Sequence, residues 1–561
     1  MASIGDEKSL NCTSHQASSP FKKVLIVGAG PAGLLLAILL ARSNIPSTVL
    51  ESWDQVDERL RATQYGVPAT RVFRRAGILD DIRSESITHF PAICWRSVQT
   101  GDILTGIDLS VVSKDPDRMT ILPLNQILQI MLRHCREKYS DLVTLLFNHK
   151  VIDIQQHSTR AWAMVEVGKE NEAKSTVNFE ADYLVGCDGG QSSVRKILFQ
   201  RNWPGETFAS RILVQNVYYK GFEDHGWEGG NYMIDDEFWG LIAKRGKAKD
   251  ADGPLWRVTY GDSAANLTEQ EYLKRRELAF KKMLPGHPDP SQYKVTQTDQ
   301  FRIHNRCVDS MRVGRVFLAG DAAHVCNPFG GYGCMAAVLD VAGLADALIG
   351  YHDGRADEDI LDAYAKIRRD KFMDFIDRRS RKNLNRISKT DADTALKTDP
   401  FLAMLQAMEG NAEETRKFLL NMKFCYAALL ACISYALAAP TTLNAPPTNS
   451  KAVTGQSAES LDLPKILEGV LGGGAAAAKN GTKTAAAASS KGPRMGLLGA
   501  LGINPAEILK QVGELQKSGA LDKLKELQAA QGAQGVPPVQ GAQGVQGAAG
   551  AASGALSSLA V

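Results

Sequence analysis

Apolar residues along this chain fall into three kinds of pattern, and each predicts elements. Val24 to Val27 is a short continuous apolar run, the mark of a strand buried on both faces. A second run, Leu34 to Leu40, follows after a glycine-rich turn and predicts a buried helix, and Thr48-Val49-Leu50 predicts the next strand. Arg74 to Ile82 suggests a short helix, and β-prone pieces lie around Ile93-Cys94-Trp95 and Ile103-Leu104. Leu124 to Tyr139 carries Leu124, Ile127, Leu128, Met131, Leu132 and Cys135 on one helical face. Val143–Phe147, Val151–Ile154 and Trp162–Val167 read as strands of a small meander. From Phe199 to about Gln300 the pattern becomes β-branched and aromatic alternation, at Ile212–Val214, Val217–Tyr219, Phe238–Ile242 and Trp256–Tyr260, with turns such as Asp252-Gly253-Pro254 between. That predicts an antiparallel sheet, followed by a charged helix from Glu269 to Met283. Helices are then expected from about Cys334 to Leu348 and from Ile360 to Leu384. The whole is an α/β chain with an antiparallel sheet inserted into it.

The turns between these elements carry the chemistry. Val24–Val27 runs into Gly28-Ala29-Gly30-Pro31-Ala32-Gly33 and leaves as a helix, the strand–turn–helix of a dinucleotide-binding unit. Gly28 permits the tight turn, Gly30 lets backbone approach a pyrophosphate, and Gly33 lets the helix pack on the strand. The helix N-terminus offers free N–H groups to the diphosphate. Glu51 ends the next strand, where a carboxylate accepts from both ribose hydroxyls and repels a 2′-phosphate. The tightly held dinucleotide is therefore FAD or NAD. Two more strands end alike. Tyr183–Gly186 runs into Cys187-Asp188-Gly189, with a helix from about Ser192, and Val316-Phe317-Leu318 runs into Gly320-Asp321-Ala322-Ala323-His324. Asp321 is placed to accept from a ribityl hydroxyl. The helix opening at Cys334 aims its dipole at an electron-poor ring edge, with Pro328 and Gly330 to Gly333 just before it.

Composition narrows the partners. A hydrophobic content of 44% and a charged content of 23% are those of an ordinary globular protein, and 561 residues are enough for two or three domains. A net charge of +3 gives no reason to expect nucleic acid or an anionic membrane. The nine cysteines include no Cys-x-x-Cys pair, which argues against a zinc site or a disulfide framework and for a reducing, cytoplasmic setting. The arginines of the Ser52–Arg83 stretch read mostly as a solvated face.

The three glycine-bearing turns, in this order and spacing, resemble the flavoprotein aromatic hydroxylases, the family of para-hydroxybenzoate and phenol hydroxylases, over roughly residues 22 to 400; within it the chain looks most like fungal members acting on phenolic or polyketide-type natural products. The resemblance implies a Rossmann-like FAD-binding domain (about 21–88, 118–198 and 301–400) with an inserted antiparallel substrate domain (about 89–117 and 199–300) and a C-terminal helix at 401–421. It implies that Gly28, Gly30, Gly33 and Glu51 hold the ADP half of FAD. Gln126 would serve the phosphates, Asp188 and Gly189 both FAD and NAD(P)H, and Gly320, Asp321 and Cys334 the flavin half. Pro328, Gly331 and Gly333 would line the ring where O₂ reacts, and Arg61 would handle flavin movement. Here Cys326-Asn327-Pro328-Phe329 replaces a more usual short polar–proline pairing, which reshapes the substrate side. The implied activity is a monooxygenase that uses NADPH or NADH and O₂, through a flavin C4a-hydroperoxide, on a small aromatic molecule. His324 is a candidate base or a structural hydrogen-bonding residue. An oxidase or reductase of the same fold and a non-enzymatic FAD scaffold are the alternatives. A Trp-x-Trp-x-Ile-Pro halogenase motif and a second Gly-x-Gly-x-x-Gly are both missing from the sequence.

The two ends differ in character. Met1–Pro20 is polar and Ser-rich, an expected disordered lead-in, and no metal-ligand set stands out anywhere in the chain. Phe424 to Ala439 is an apolar run of sixteen residues, short of the about 20 that span a bilayer. Met422-Lys423 before it and Ala436-Leu437-Ala438 at its end give it the layout of a signal peptide. One expectation is two neighbouring reading frames joined near Lys423; the other is a membrane-associating segment at 424–439. Residues 441–561 are Ala-, Gly- and Gln-rich, with one helix expected after Asn504.

Overall fold

The computed structural model describes residues 19–419 except 60, 88–89, 170–172, 247–253 and 265–266. The lead-in, the 424–439 segment and the low-complexity tail lie outside the described residues, as do Asp252 and Gly253. The elements that position the site follow in chain order. They begin with β1 (Val24–Val27), α1 (Pro31–Ala41), β2 (Ser47–Leu50), β3 (Ala92–Ser97), β4 (Ile103–Asp108), α2 (Leu124–Arg133) and β5 (Val143–Leu146). Next come β6 (His149–Gln156), β7 (Ala161–Val167), β8 (Ser175–Ala181), β9 (Tyr183–Gly186), α3 (Ser193–Phe199), β10 (Gly205–Tyr218), β11 (Gly230–Ile234), β12 (Phe238–Gly246) and β13 (Leu255–Asp262). The last are β14 (Lys294–Cys307), β15 (Val316–Leu318), α4 (Tyr332–His352), α5 (Asp359–Lys371), α6 (Arg378–Ser388) and α7 (Pro400–Met408).

Two sheets organise them. The first runs in the order β15-β9-β1-β2-β5, all parallel, with the short strand Arg312–Val313 antiparallel on one edge. Its central strands are apolar and buried throughout because helix α1 packs on the sheet and the β6-β7-β8 meander, through Val151, Ala163 and Val165, closes the same core. Helix α1 is buried at every position after Pro31, the signature of a helix enclosed on all sides. The second sheet runs in the order β14-β10-β13-β12-β11-β3-β4, with His324–Val325 at the β14 edge. All its pairs are antiparallel except β11 with β3. One face of this sheet packs on the helices Glu269–Lys274 and Arg276–Met283 through Phe222, Trp256, Tyr260 and Phe280. The other face, with Ile107, Ile212, Val214, Trp239 and Ile303, turns inward and meets Phe329.

Several elements differ from their sequence pattern. Val143–Leu146 does not belong to the meander: it pairs in parallel with β2, register Ser47 to Val143, and forms the edge of the first sheet. The meander is β6-β7-β8, whose third strand, Ser175–Ala181, is mostly exposed and polar and carries no apolar signal. The stretch Arg74–Ile82 spans two helices, Val67–Ala76 and Leu79–Glu85, separated by Gly77 in the left-handed region at φ 74°. The helix expected over Glu269–Met283 breaks at Arg275, which donates to Asp262 and Glu237. Strand β14 continues past Gln300 to Cys307, so the inserted sheet reaches into the chain that follows it. Residues 359–388 form one helical run with a π turn at Phe372–Asp377. Helix α4 is the one described helix long and apolar enough to cross a membrane, and 72% of that window is buried within the fold.

The contact between α1 and β1 is set by Gly33. A Cβ there would stand 1.9 Å from the Gly28 carbonyl oxygen, a backbone atom that cannot yield without moving the turn. Gly33→Ala is therefore expected to lower stability by at least the roughly 1–3 kcal/mol of an overpacked core, and to release FAD. A thermal melt of the variant with and without added FAD checks this; an unchanged melting temperature would remove Gly33 from the helix–strand contact.

Candidate active site

The three glycine-bearing turns stand side by side because β15, β9 and β1 are consecutive parallel neighbours, so all three end at one edge of the sheet. Open α/β sheets bind ligands at this carboxyl edge. Gly28 sits at φ 106°, and a Cβ there would lie 2.5 Å from the Cys187 carbonyl oxygen: the first turn packs directly on the second. At Gly30 the nearest atom to a Cβ is 4.0 Å away, so that position opens into free space before the N-terminus of α1. Glu51 is held ready. Its Oε2 accepts from Ala29 N–H at 2.8 Å, and its Oε1 accepts from Trp53 N–H at 2.9 Å and Ser52 Oγ at 3.1 Å.

Asp188 caps α3: Oδ1 accepts from the Ser192 hydroxyl at 2.5 Å and Oδ2 from Ser193 N–H at 2.7 Å. Burial pushes its carboxyl above the usual range, against the pull of those donors. Asp321 opens onto the cavity. Burial raises its carboxyl too, while His324 and Arg61 pull the other way. His324 itself is not poised as a base. Its ring is 2% exposed, stacks on Phe372 at 4.2 Å, and donates through Nε2 to Asp340 Oδ2 at 2.7 Å. The same Asp340 oxygen accepts from Gly320 N–H at 3.0 Å, and Oδ1 accepts from Arg368 Nε at 2.8 Å. Burial alone would raise the Asp340 carboxyl, but His324 and Arg368 outweigh it and hold it below the usual range. This cluster fixes the turn that presents Asp321.

One cavity of about 1230 Å³ joins these turns to the inward face of the second sheet. Ordinary ligand pockets measure roughly 300–1,000 Å³, so this one accommodates a large dinucleotide and a small molecule together. Gly28, Gly30, Glu51, Asp188, Gly189, Asp321, Pro328, Gly331, Gly333, Cys334 and Arg61 all line it. Gly33 and Gly320 act from behind the wall. Gln126 lies on α2 outside the lining and is not brought to the other candidates. Gly330 and Gly331, at φ 118° and 67°, turn the chain into α4, whose first N–H groups belong to Tyr332, Gly333 and Cys334. Burial pushes the Cys334 thiol up to about 12, so it is a neutral wall group. The apolar end of the cavity is made by Ile107, Ile212, Val214, Tyr232, Leu241, Phe301 and Phe329.

Several site residues carried no sequence signal. Arg257 is 7% exposed on β13; its Nη1 donates to the Arg61 carbonyl and its Nε to Asn216 Oδ1 at 3.3 Å. Burial and the neighbouring Arg245 bring it down to about 9. Arg61 lies 5.0 Å from the Phe301 ring centre, with Nε 3.4 Å from Asp57 Oδ2. The rim beside Gly189 is cationic: Arg302, His304 and Arg306 alternate along β14, and Arg302 faces Arg211 on β10. Arg302, His304, Gln191 and Trp203 line the opening. Burial, with Arg306 and Arg302, holds His304 below its ordinary value. A run of alternating basic residues on a strand was the readable hint.

The turns fit FAD on their own geometry: an open N-terminus at Gly30, a preset carboxylate at Glu51, and Asp321 with a helix N-terminus at the far end. Comparison with known proteins agrees. The family described as "FAD binding domain" matches residues 22–379. Para-nitrophenol 4-monooxygenase of Pseudomonas sp. strain WBC-3 is 33% identical over 402 residues, covering 71% of this chain and 95% of its own. The 6-hydroxy-3-succinoylpyridine 3-monooxygenase of Pseudomonas putida is 33% identical over 371 residues, covering 65% and 89%. A crystal structure of p-nitrophenol 4-monooxygenase from Pseudomonas putida superposes with a TM-score of 0.64 at 31% identity, covering 72% of this chain and 98% of that one. The chain belongs to the flavoprotein aromatic hydroxylases and is an FAD-dependent monooxygenase.

Proposed function

We propose that the substrate is a compact phenol, bound in the apolar end of the cavity between the second sheet and the 327–333 loop. The observation that carries this is the wall itself. Tyr232 stacks with Trp95 at 5.2 Å, Phe329 meets Trp239 edge-on at 5.2 Å, and Phe301 lies beneath Arg61. A flat aromatic ring fits such surfaces, and Tyr232, whose phenol burial pushes up to about 12, stays protonated to donate to a substrate oxygen. The named activity of the para-nitrophenol relative supports the same class. When bound, FAD supplies the redox chemistry, taking hydride from NAD(P)H and activating O₂. The chain's own part is to position the ring against the Pro328 loop, exclude water with the aromatic wall, and hold the cofactor at Glu51 and Asp321. A cytoplasmic location belongs to this reading: the six described cysteines are all free thiols, as a reducing compartment keeps them.

Three outcomes are expected. A screen of monocyclic phenols under ¹⁸O₂, with 4-nitrophenol and 4-hydroxybenzoate included, should yield a product carrying one labelled oxygen while NAD(P)H is consumed; larger polyketide-type phenols turned over in preference would overturn the compact-phenol reading. Glu51→Ala should weaken FAD binding by roughly tenfold to a hundredfold, since each charge-assisted hydrogen bond is worth about 1.5–3 kcal/mol. Equilibrium titration of the cofactor-free protein measures it. The cationic rim should recruit the anionic cosubstrate, so the KM for NAD(P)H should rise with ionic strength and rise again in Arg302→Ala, with FAD affinity unchanged. A salt-independent KM would assign the rim no part in cosubstrate capture.

A further inference from the structure

The loop that faces the flavin ring is gripped from two sides by amide side chains. Asn305, 1% exposed on β14, uses its whole hydrogen-bonding capacity on this grip. Its Oδ1 accepts from Asn327 N–H at 2.9 Å and from Asn327 Nδ2 at 3.3 Å. Its Nδ2 donates to Asp377 Oδ1 at 2.8 Å and Ser380 Oγ at 3.0 Å, at the junction of the π turn with α6. Asn327, wholly buried, passes the constraint on: its Oδ1 accepts from Phe329 N–H at 3.2 Å. From the other side, Asn383 on α6 donates to the Phe329 carbonyl at 3.3 Å and bonds the Tyr332 hydroxyl. Arg386 Nη1 orients it by donating to its Oδ1 at 2.7 Å. The fit is close, since a Cβ on Gly330 would lie 2.7 Å from Asn383 Nδ2. Only an amide satisfies Asn305's site. It must accept twice and donate twice in a dry interior, next to a carboxylate already paired with Arg381 at 3.0 Å.

Residues 301, 303 and 305 share one face of β14, because side chains alternate along a strand. Phe301 and Ile303 of that face line the cavity. The strand that forms the substrate wall thus also holds the loop that forms the flavin wall. We propose that Asn305 and Asn383 are positioning residues that fix the distance between the two walls, and so decide whether the activated oxygen reaches the substrate ring or is released as hydrogen peroxide. This rests on the hydroxylase reading only through the substrate; the clamp itself is a property of the cofactor-free protein.

The test therefore has two arms. In the first, hydrogen–deuterium exchange is followed in the cofactor-free full-length protein for wild type, Asn305→Leu and Asn383→Ala. Peptides covering 325–333 should exchange about tenfold faster in the variants, and peptides covering β1 and α1 should not change. In the second, product formed per NAD(P)H consumed is measured with the best phenol from the screen. It should fall at least about threefold, hydrogen peroxide should account for the difference, and FAD affinity should stay within about threefold. Asn305→Asp, which loses both donors and sets a second carboxylate against Asp377, should restore neither the exchange protection nor the ratio. Unchanged exchange at 325–333, or faster exchange everywhere alike, overturns the proposal, as does a lowered FAD affinity with an unchanged product ratio. If Asn305→Leu does not fold, Asn383→Ala decides the matter by the same two measurements. If no phenol is hydroxylated by wild type, the exchange arm still decides the clamp while the substrate reading fails separately.

Discussion

The flavin half of the site depends on one buried carboxylate. Asp340 has no exposure to solvent, yet its side chain accepts from Gly320 N–H, His324 and Arg368. An unpaired carboxylate there would cost the fold several kcal/mol; with partners on both oxygens the cost is offset and the geometry becomes single-valued. That geometry binds three chain segments separated in sequence: the Gly320-Asp321 turn, helix α4 and helix α5. Phe372 completes it by stacking on the His324 ring. The turn that presents Asp321 is therefore held by the chain's own hydrogen bonds, without any contribution from a ligand. Buried charge is poor at adding stability and good at excluding alternative arrangements, and here it is used for the second purpose.

What could be read from the sequence follows the same logic. The three strand-to-turn motifs are legible because each is local: an apolar run into glycine, with the acidic residue at once after β9 and β15 and, for the first, at the end of the next strand, and parallel pairing then places them together. The inserted sheet is legible as alternation. Its β3 and β4 segment, within the 89–117 stretch, is placed by the family resemblance and not by alternation, because it joins through a parallel pairing of β3 with β11, more than a hundred residues away in the chain. Strand β5 reads as part of the wrong sheet for a similar reason: an apolar strand next to a meander looks like part of it, and only the β2 register reveals otherwise. Residues acting from behind the cavity wall give no local signal. Asp340 sits in an apolar helix, Asn305 among alternating basic residues, and Asn383 in a charged helical face. His324 misleads in the opposite direction, since a histidine beside a Gly-Asp turn suggests acid–base chemistry until its partner, sixteen residues on, is seen. Gln126 belongs to a helix that packs with its apolar face, leaving the glutamine away from the lining.

The two sheets meet through few polar contacts, and those few carry disproportionate weight. Arg257 crosses from the substrate sheet to the Arg61 carbonyl in the loop after β2. Its guanidinium is brought down to about 9 by burial and by Arg245, so at neutral pH it remains charged and that charge is disfavoured in the folded state. For a base with a depressed value the sign is unambiguous: the penalty is complete below about 9 and fades as pH rises above it. The contact itself is a hydrogen bond from a buried guanidinium to a backbone carbonyl. Its effect is positional, setting where the Arg61 segment lies over Phe301.

Asn305 and Arg257 then divide the same problem. Arg257 fixes the substrate sheet against the loop that carries Arg61, and Asn305 fixes it against the loop at the start of α4. The cavity lies between these two attachments, bounded by strands whose own hydrogen bonds make them stiff. The substrate site proposed above lies between these two hydrogen-bonded links. Misplacement of a reacting atom by about 1 Å can cost a hundredfold in rate. Two short, saturated links at either end of one rigid sheet are a better guarantee against such drift than a larger number of apolar contacts, which tolerate sliding.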